Sequence, residues 1–226
     1  MTSSATHRLL IPYLGELMLS DYQGISLTIK RAGSTAMVDK INWSDYPYKP
    51  SVQLYAGYSK SHLWLWYAVK MDYFRAKALA DQENVWEDSC VEFFISTEVE
   101  KYNDAFSGKE IAYRNFEFNA LGACFSAYGT KNQRTALSDL EMRQILRFPG
   151  LSKHNLPEEG ARFDWELGVA LPLDLIGLRP GSIFKANFYK CGDLTSRPHF
   201  VSWSSIAAPA PDFHLPQFFG EVELVI

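Results

Sequence analysis

Hydrophobic and polar positions alternate along much of the chain, most clearly near its middle. In VWEDSCVEFFIS, residues 85–96, Val91, Phe93 and Ile95 alternate with Cys90, Glu92, Phe94 and Ser96, the period of a β-strand with one buried face. Glu92 is therefore expected to point away from the core that Val91 and Phe93 anchor. YRNFEFN, residues 113–119, repeats the pattern, with Phe116 and Phe118 on one face and Asn115, Glu117 and Asn119 on the other. Residues 52–58 and 63–69 read as two strands joined by a hairpin turn at 59–62. In the second of them Leu63, Leu65, Tyr67 and Val69 share one face and Trp64 and Trp66 the other. Both faces are apolar, which predicts a strand covered on both sides.

Further strands are predicted over 25–29 (ISLTI), 163–171, 183–189, 200–203 and 221–226. Residues 9–19 are mixed in period and read as an edge segment with a turn at Gly15. Residues 41–50, rich in Pro, Tyr and Trp, read as an ordered loop. The stretch 73–84 is one helical turn or a loop, and the polar stretch 101–110, with Gly108, is a surface loop. The best helix is 138–147, where Ser138 and Glu141 have the spacing of a capping box; a strand over 142–148 stays open. PLDLIGL adds a short turn of helix. About nine or ten short strands, closely spaced turn signals and little helix predict an all-β fold. The expected architecture is a two-sheet antiparallel sandwich, immunoglobulin-like or jelly-roll-like, with one or two short helices, as a single domain over residues 1–226.

Composition narrows the function. A length of 226 residues suffices for a substantial core, and 47% hydrophobic with 21% charged residues is ordinary for a globular protein. The net charge of −4, with no Lys/Arg run longer than two, excludes a nucleic-acid footprint. No apolar run approaches the roughly 20 residues of a bilayer span. Residues 1–10 lack a charged segment followed by an apolar one, which reads as cytoplasmic as written, and as periplasmic or extracellular if a leader has been removed. Cys90, Cys124 and Cys191 share no C-x-x-C spacing and are expected to be reduced and unpaired. His7, His62, His154, His199 and His214 have no tight metal spacing. A nucleophile elbow, a P-loop and a G-x-G-x-x-G are all missing.

Aromatics at 15%, many of them Trp and Tyr, change the picture most. An aromatic ring can cover the C–H face of a sugar, while carboxylates and amides hydrogen-bond its hydroxyls. An acid on a rigid strand six residues after a Trp suits that task. The blocks VWEDSCVEFF, NFEFNALG, ANFYKCGD, HFVSWS and PDFHLPQFFGEVEL, in that order, together with INWSDYPYKP upstream, resemble carbohydrate-binding module family 9 over nearly the whole chain. The nearest resemblance is to the single-domain branch common in gut Bacteroidetes. It implies a β-sandwich that grips the end of an oligosaccharide or plant polysaccharide between two aromatic rings. Carried onto this sequence, Trp86 matches the first aromatic, Glu92 the acid that follows it, and Asn119 a polar residue on the neighbouring strand. Glu117 stands where better-known modules have Arg, and Phe213 where the second aromatic is Trp. The expected cleft is lined by Trp86, Glu92, Asn119 and Phe213, with Glu117 and Asp88 at its margin. No cofactor is implied; family members can hold structural calcium, for which the resemblance assigns no ligands here.

Two other readings compete with non-catalytic sugar binding. Two of Asp88, Glu92 and Glu117 could serve a xylanase-like glycoside hydrolase, whose paired carboxyls stand about 5 Å apart for retention or about 6.5–9.5 Å for inversion. Alternatively, the chain is a scaffold that has kept the fold and lost the sugar.

Overall fold

The computed structural model describes residues 7–18, 21–104, 108 and 110–226. The expectations for Leu19, for 105–107 and 109 in the polar loop, and for the leader over 1–6 fall outside these residues. In chain order the elements are β1 (Arg8–Pro12), α1 (Tyr22–Ala32), β2 (Ser34–Met37), β3 (Lys40–Ile41), β4 (Ser51–Tyr58), β5 (His62–Met71) and β6 (Cys90–Ser96). They continue with β7 (Tyr113–Asn119), β8 (Cys124–Thr130), β9 (Gln133–Ala136), α2 (Asp139–Met142), β10 (Leu146–Pro149), β11 (Phe163–Pro172), β12 (Ile183–Cys191), β13 (Phe200–Ser202) and β14 (Gly220–Val225).

Among the described residues the strands form two sheets. The larger runs β1-β14-β12-β6-β7-β8-β9, with β13 pairing β12 and β3 pairing β13; the smaller runs β10-β11-β5-β4-β2. The sheets face each other across one apolar cluster, to which Val91, Phe93, Phe116 and Phe118 contribute from the larger and Trp165 and Leu167 from the smaller. This is the all-β sandwich that the alternation predicts.

Each sheet is also covered on its outer face. Trp64 and Trp66 of β5 pack under Ile25 and Ile29 of α1. The run 25–29 is therefore helix and not strand. Ile25 and Ile29 stand four apart, one helical turn, and Asp21 caps the start by accepting the Gly24 N–H at 2.8 Å. β-branched residues read as strand locally, and a spacing of four shares one face in either element; the Asp21 cap and the 50% exposure of Leu27, which a strand would place beside the two isoleucines, mark the helix.

The predicted helix over 138–147 shrinks to α2. Its capping box is formed: Ser138 and Glu141 satisfy each other's backbone N–H groups. Beyond it the chain extends into β10, because Pro149 disfavours helix at Phe148 and the edge of β11 takes up the backbone, Leu146 opposite Ala170. Residues 73–84 form no helix either. Their N–H groups are taken by carboxylates, Lys77 and Ala78 by Asp88 and Leu79 and Ala80 by Glu83.

Candidate functional site

The site grows from the outer face of the larger sheet. Alternation in β6 sends Val91, Phe93 and Ile95 into the inter-sheet core and turns Glu92 outward. Glu92 is not solvated there: it is only 2% exposed. Register places Glu117 of β7 directly across from it on one side and Tyr189 of β12 on the other. Phe125 of β8 lies beside Glu117, and Asn115 sits two residues along on the same face. These groups floor a cavity of about 450 Å³. Its walls come from the 3-10 turn Val85–Glu87, from Asp193 after β12, from Phe200, and from residues 211–214 before the last strand.

Four of the six residues expected at the site line this cavity: Trp86, Glu92, Glu117 and Phe213. Asp88 and Asn119 do not, and both are wholly buried. Asp88 accepts from Arg75, from the backbone of Lys77 and Ala78 at 2.9 Å each, and from Asn119 at 3.0 Å. Asn119 also donates to the Ala78 carbonyl and accepts the N–H groups of Leu121 and Ala123. The two residues tie the 75–78 loop to the 119–123 turn, and no polar atom of either is left for a ligand in the cavity.

The rings differ in how they are held. Trp86 is partly exposed and meets Phe125 edge to face, centroids 5.1 Å apart. Phe213 lies flat on Tyr189, with centroids 4.1 Å apart and planes 9° apart. One of its faces is thus spent on the protein.

Polar groups that the motifs did not single out complete the cavity: Arg134, Asp193 and His214. Arg134 comes from the short edge strand β9, in a segment without alternation. Its guanidinium donates to the carbonyls of Tyr113, Gly129 and Ala127 and to Asn115, and stacks 4.0 Å from the centre of the Tyr113 ring. Asn115 in turn donates to Glu117 at 2.9 Å. His214 pairs with the Tyr113 hydroxyl at 2.7 Å. The Cys191 thiol donates to Glu92 at 2.9 Å.

Carboxyls gathered in a poorly hydrated place resist ionisation. Burial, reinforced by Cys191 and Glu117, holds Glu92 well above the ordinary carboxyl range. Burial, with the Asp193 charge beside it, lifts Glu117 to about 8, although Asn115 and Arg134 pull the other way. Burial and the Glu87 charge bring Asp193 to about 6. Burial also depresses His214 to about 4. Both floor carboxyls thus hold their protons to higher pH than free carboxyls do.

A pH dependence of stability follows. A carboxyl whose folded pKa is raised binds more protons folded than unfolded, so its penalty is present above the folded pKa and is relieved as pH falls. Glu117→Gln cannot ionise. Its stability relative to the parent, measured by denaturant melts with chelator present, should rise as pH goes from about 5 to about 8.5. One pKa step is worth about 1.4 kcal/mol, so the gap should reach at least that size. A gap that stays flat across this range would show that Glu117 is hydrated and ionised throughout.

Among the described residues one group offers three metal-ligating atoms close together, Cys90, Glu92 and Cys191. Calcium takes six to eight oxygens, so two thiols and one carboxyl do not fit it.

The model of carbohydrate-binding family 9 matches residues 23–224. A candidate carbohydrate-binding protein from Bacteroides uniformis ATCC 8492, solved as a crystal structure, is 31% identical and superposes with a TM-score of 0.84 over 97% of this chain and 100% of that one. A family 9 module from Caldicellulosiruptor kristjanssonii in complex with cellotriose is 13% identical, with a TM-score of 0.62 over 97% of this chain and 94% of that one. A family 9 module from the same organism in complex with glucose gives 0.60 at 13% identity, over 96% and 95%. No curated protein matches the chain.

Proposed function

Because the chain belongs to carbohydrate-binding family 9, we propose that it is a single-domain, non-catalytic module whose outer-face cavity takes the end of an oligosaccharide or plant polysaccharide chain. The observation that carries this reading is the make-up of the cavity: aromatic rings from Trp86, Phe125, Phe200 and Phe213 around a floor of Glu92, Glu117 and Asn115. A pyranose needs an apolar platform together with a few directed polar groups. A pocket of about 450 Å³ is of the size that takes a small ligand such as one or two sugar rings. The C. kristjanssonii modules, whose folds this chain shares, hold cellotriose and glucose, and β-linked glucans are accordingly the first ligands to test.

In this reading Trp86 supplies the free stacking face, and Phe213, backed by Tyr189, the more rigid second one. Glu92 and Glu117, protonated at neutral pH, can donate to ring hydroxyls as well as accept from them. Fixed Arg134 and Asn115 set the shape of the floor without swinging into the ligand.

A glycan array with the reduced, full-length chain, followed by calorimetry on the best oligosaccharide, tests the assignment. Saturable binding to chain ends is expected, lost when the terminal residue is chemically reduced or capped. No reducing sugar should be released from a chromogenic glycoside panel. Absence of binding to every glycan would favour the scaffold reading, and release of reducing sugar would favour the hydrolase reading.

A further inference from the structure

Two buried thiols beside Glu92, those of Cys90 and Cys191, have no part in the sugar-binding reading. β6 and β12 run antiparallel with Cys90 directly opposite Cys191. Glu92 is two residues further along β6, hence on the same face. The two sulfurs and a Glu92 carboxyl oxygen all lie within 4.8 Å of one another. All three residues are buried, yet Glu92 and Cys191 line the cavity. Glu117, Asp193 and Asp212 add three more carboxyls to that lining, and the guanidinium of Arg134 is spent on three backbone carbonyls and Asn115. The pocket gathers acids and thiols and offers them little positive charge.

We propose that Cys90, Glu92 and Cys191 form a binding site for a thiophilic divalent d-block cation of the zinc class. Thiolate sulfurs select such ions over calcium or magnesium. With Zn–S near 2.3 Å and Zn–O near 2.0–2.2 Å, tetrahedral S···S and S···O pairs stand about 3.5–3.8 Å apart; no pair of the cluster exceeds 4.8 Å, and the Cys191 sulfur and Glu92 oxygen, 2.9 Å apart in their hydrogen bond, would separate to that range. Three protein ligands leave the fourth position open, and Glu92 and Cys191 turn it toward the cavity.

Binding is coordination without electron transfer. Two S–H bonds and the proton on Glu92 are given up to solvent, and two metal–sulfur bonds and one metal–oxygen bond form in their place. The bound centre carries one net negative charge. Lys190, buried and immediately before Cys191 on β12, donates to the Cys191 carbonyl at 2.6 Å and to His199 at 2.9 Å.

The site stands on the thiol geometry and not on the carbohydrate reading, and the test keeps the two apart. The full chain, reduced and stripped with chelator, is titrated with Co²⁺ in the absence of sugar. One ion per chain is expected, with sulfur-to-cobalt charge-transfer absorption in the near ultraviolet and tetrahedral d–d bands in the visible, both bleached by Zn²⁺. Cys90→Ala and Cys191→Ala should each lose the charge transfer, and Cys124→Ala should keep it. If the alanine variants fail to fold by circular dichroism, thiol titration of the native parent decides: saturating Zn²⁺ should protect Cys90 and Cys191, slowing their modification at least tenfold without changing the count in denaturant plus chelator. Unaltered thiol reactivity with no charge transfer in the parent overturns the proposal. So does charge transfer that survives in folded Cys90→Ala or Cys191→Ala.

Discussion

Asp88→Ala should destabilise the protein severely while sparing the ligand cavity. The Asp88 carboxylate is wholly buried and accepts four hydrogen bonds, one of them from the guanidinium of Arg75, whose side chain is itself only 12% exposed. Removing it strands a buried cation, two backbone N–H groups and the Asn119 amide. Breaking a buried pair in this way costs about 3–5 kcal/mol. For a chain of this size each kcal/mol moves Tm by roughly 2–4 °C, so a fall of roughly 6–20 °C is expected in a thermal melt. Asp88→Asn keeps one acceptor and should fall between the two. Titrated well below its melting temperature, the folded alanine variant should still bind sugar, because no Asp88 atom faces the cavity. If Asp88→Ala melts with the parent and loses the sugar instead, the carboxylate belongs to the site and the loop it braces does not need it.

The same residue shows where local sequence pattern stops being informative. Strands announce themselves through nearest neighbours, and β5, β6, β7, β11 and β12 are all visible as alternation. Alternation also tells which face Glu92 and Glu117 share. It does not tell what lies on that face. Glu92 reads as a solvated strand residue until Phe213 and His214, more than a hundred residues later, close over it. An acid beside a Trp looks like a sugar contact, and only the path of the 75–78 loop turns Asp88 inward. Arg134 sits on an edge strand of four residues whose sequence, QRTA, has no apolar rhythm. The Cys90–Cys191 juxtaposition spans a hundred residues and depends on β6 and β12 being neighbours, which no short spacing encodes. Ile25 and Ile29 are ambiguous by spacing, since a separation of four shares one face in a strand or a helix, and their β-branched composition favours the strand.

Trp86→Ala should weaken binding of short oligosaccharides by about fivefold or more with little change in melting temperature. Both halves of this expectation come from how Trp86 is held. Its backbone carbonyl accepts the Asp193 N–H at 3.1 Å and closes over Cys191, interactions that alanine preserves. Its indole is only half-buried, stands nearly perpendicular to the Phe125 ring and lines the cavity. Losing one ring of a stacking pair costs on the order of 1 kcal/mol or more beyond the apolar area it covers. Each 1.4 kcal/mol is tenfold in Kd, so the lost stacking alone raises Kd about fivefold or more, and the lost apolar contact adds to it. Phe213→Ala provides the contrast. Phe213 is 8% exposed, stacks on Tyr189 and meets Phe200 and Trp43, so its loss should weaken binding and also lower stability by about 3–5 kcal/mol, the usual cost of emptying a buried Phe site. Trp86→Phe should recover part of the affinity, since a smaller ring still covers part of the sugar. Calorimetry against the array-selected oligosaccharide, paired with thermal melts, separates the cases. Were Trp86→Ala to bind as tightly as the parent, the sugar would lie elsewhere on the molecule, and the outer-face cavity would be left to the cation alone.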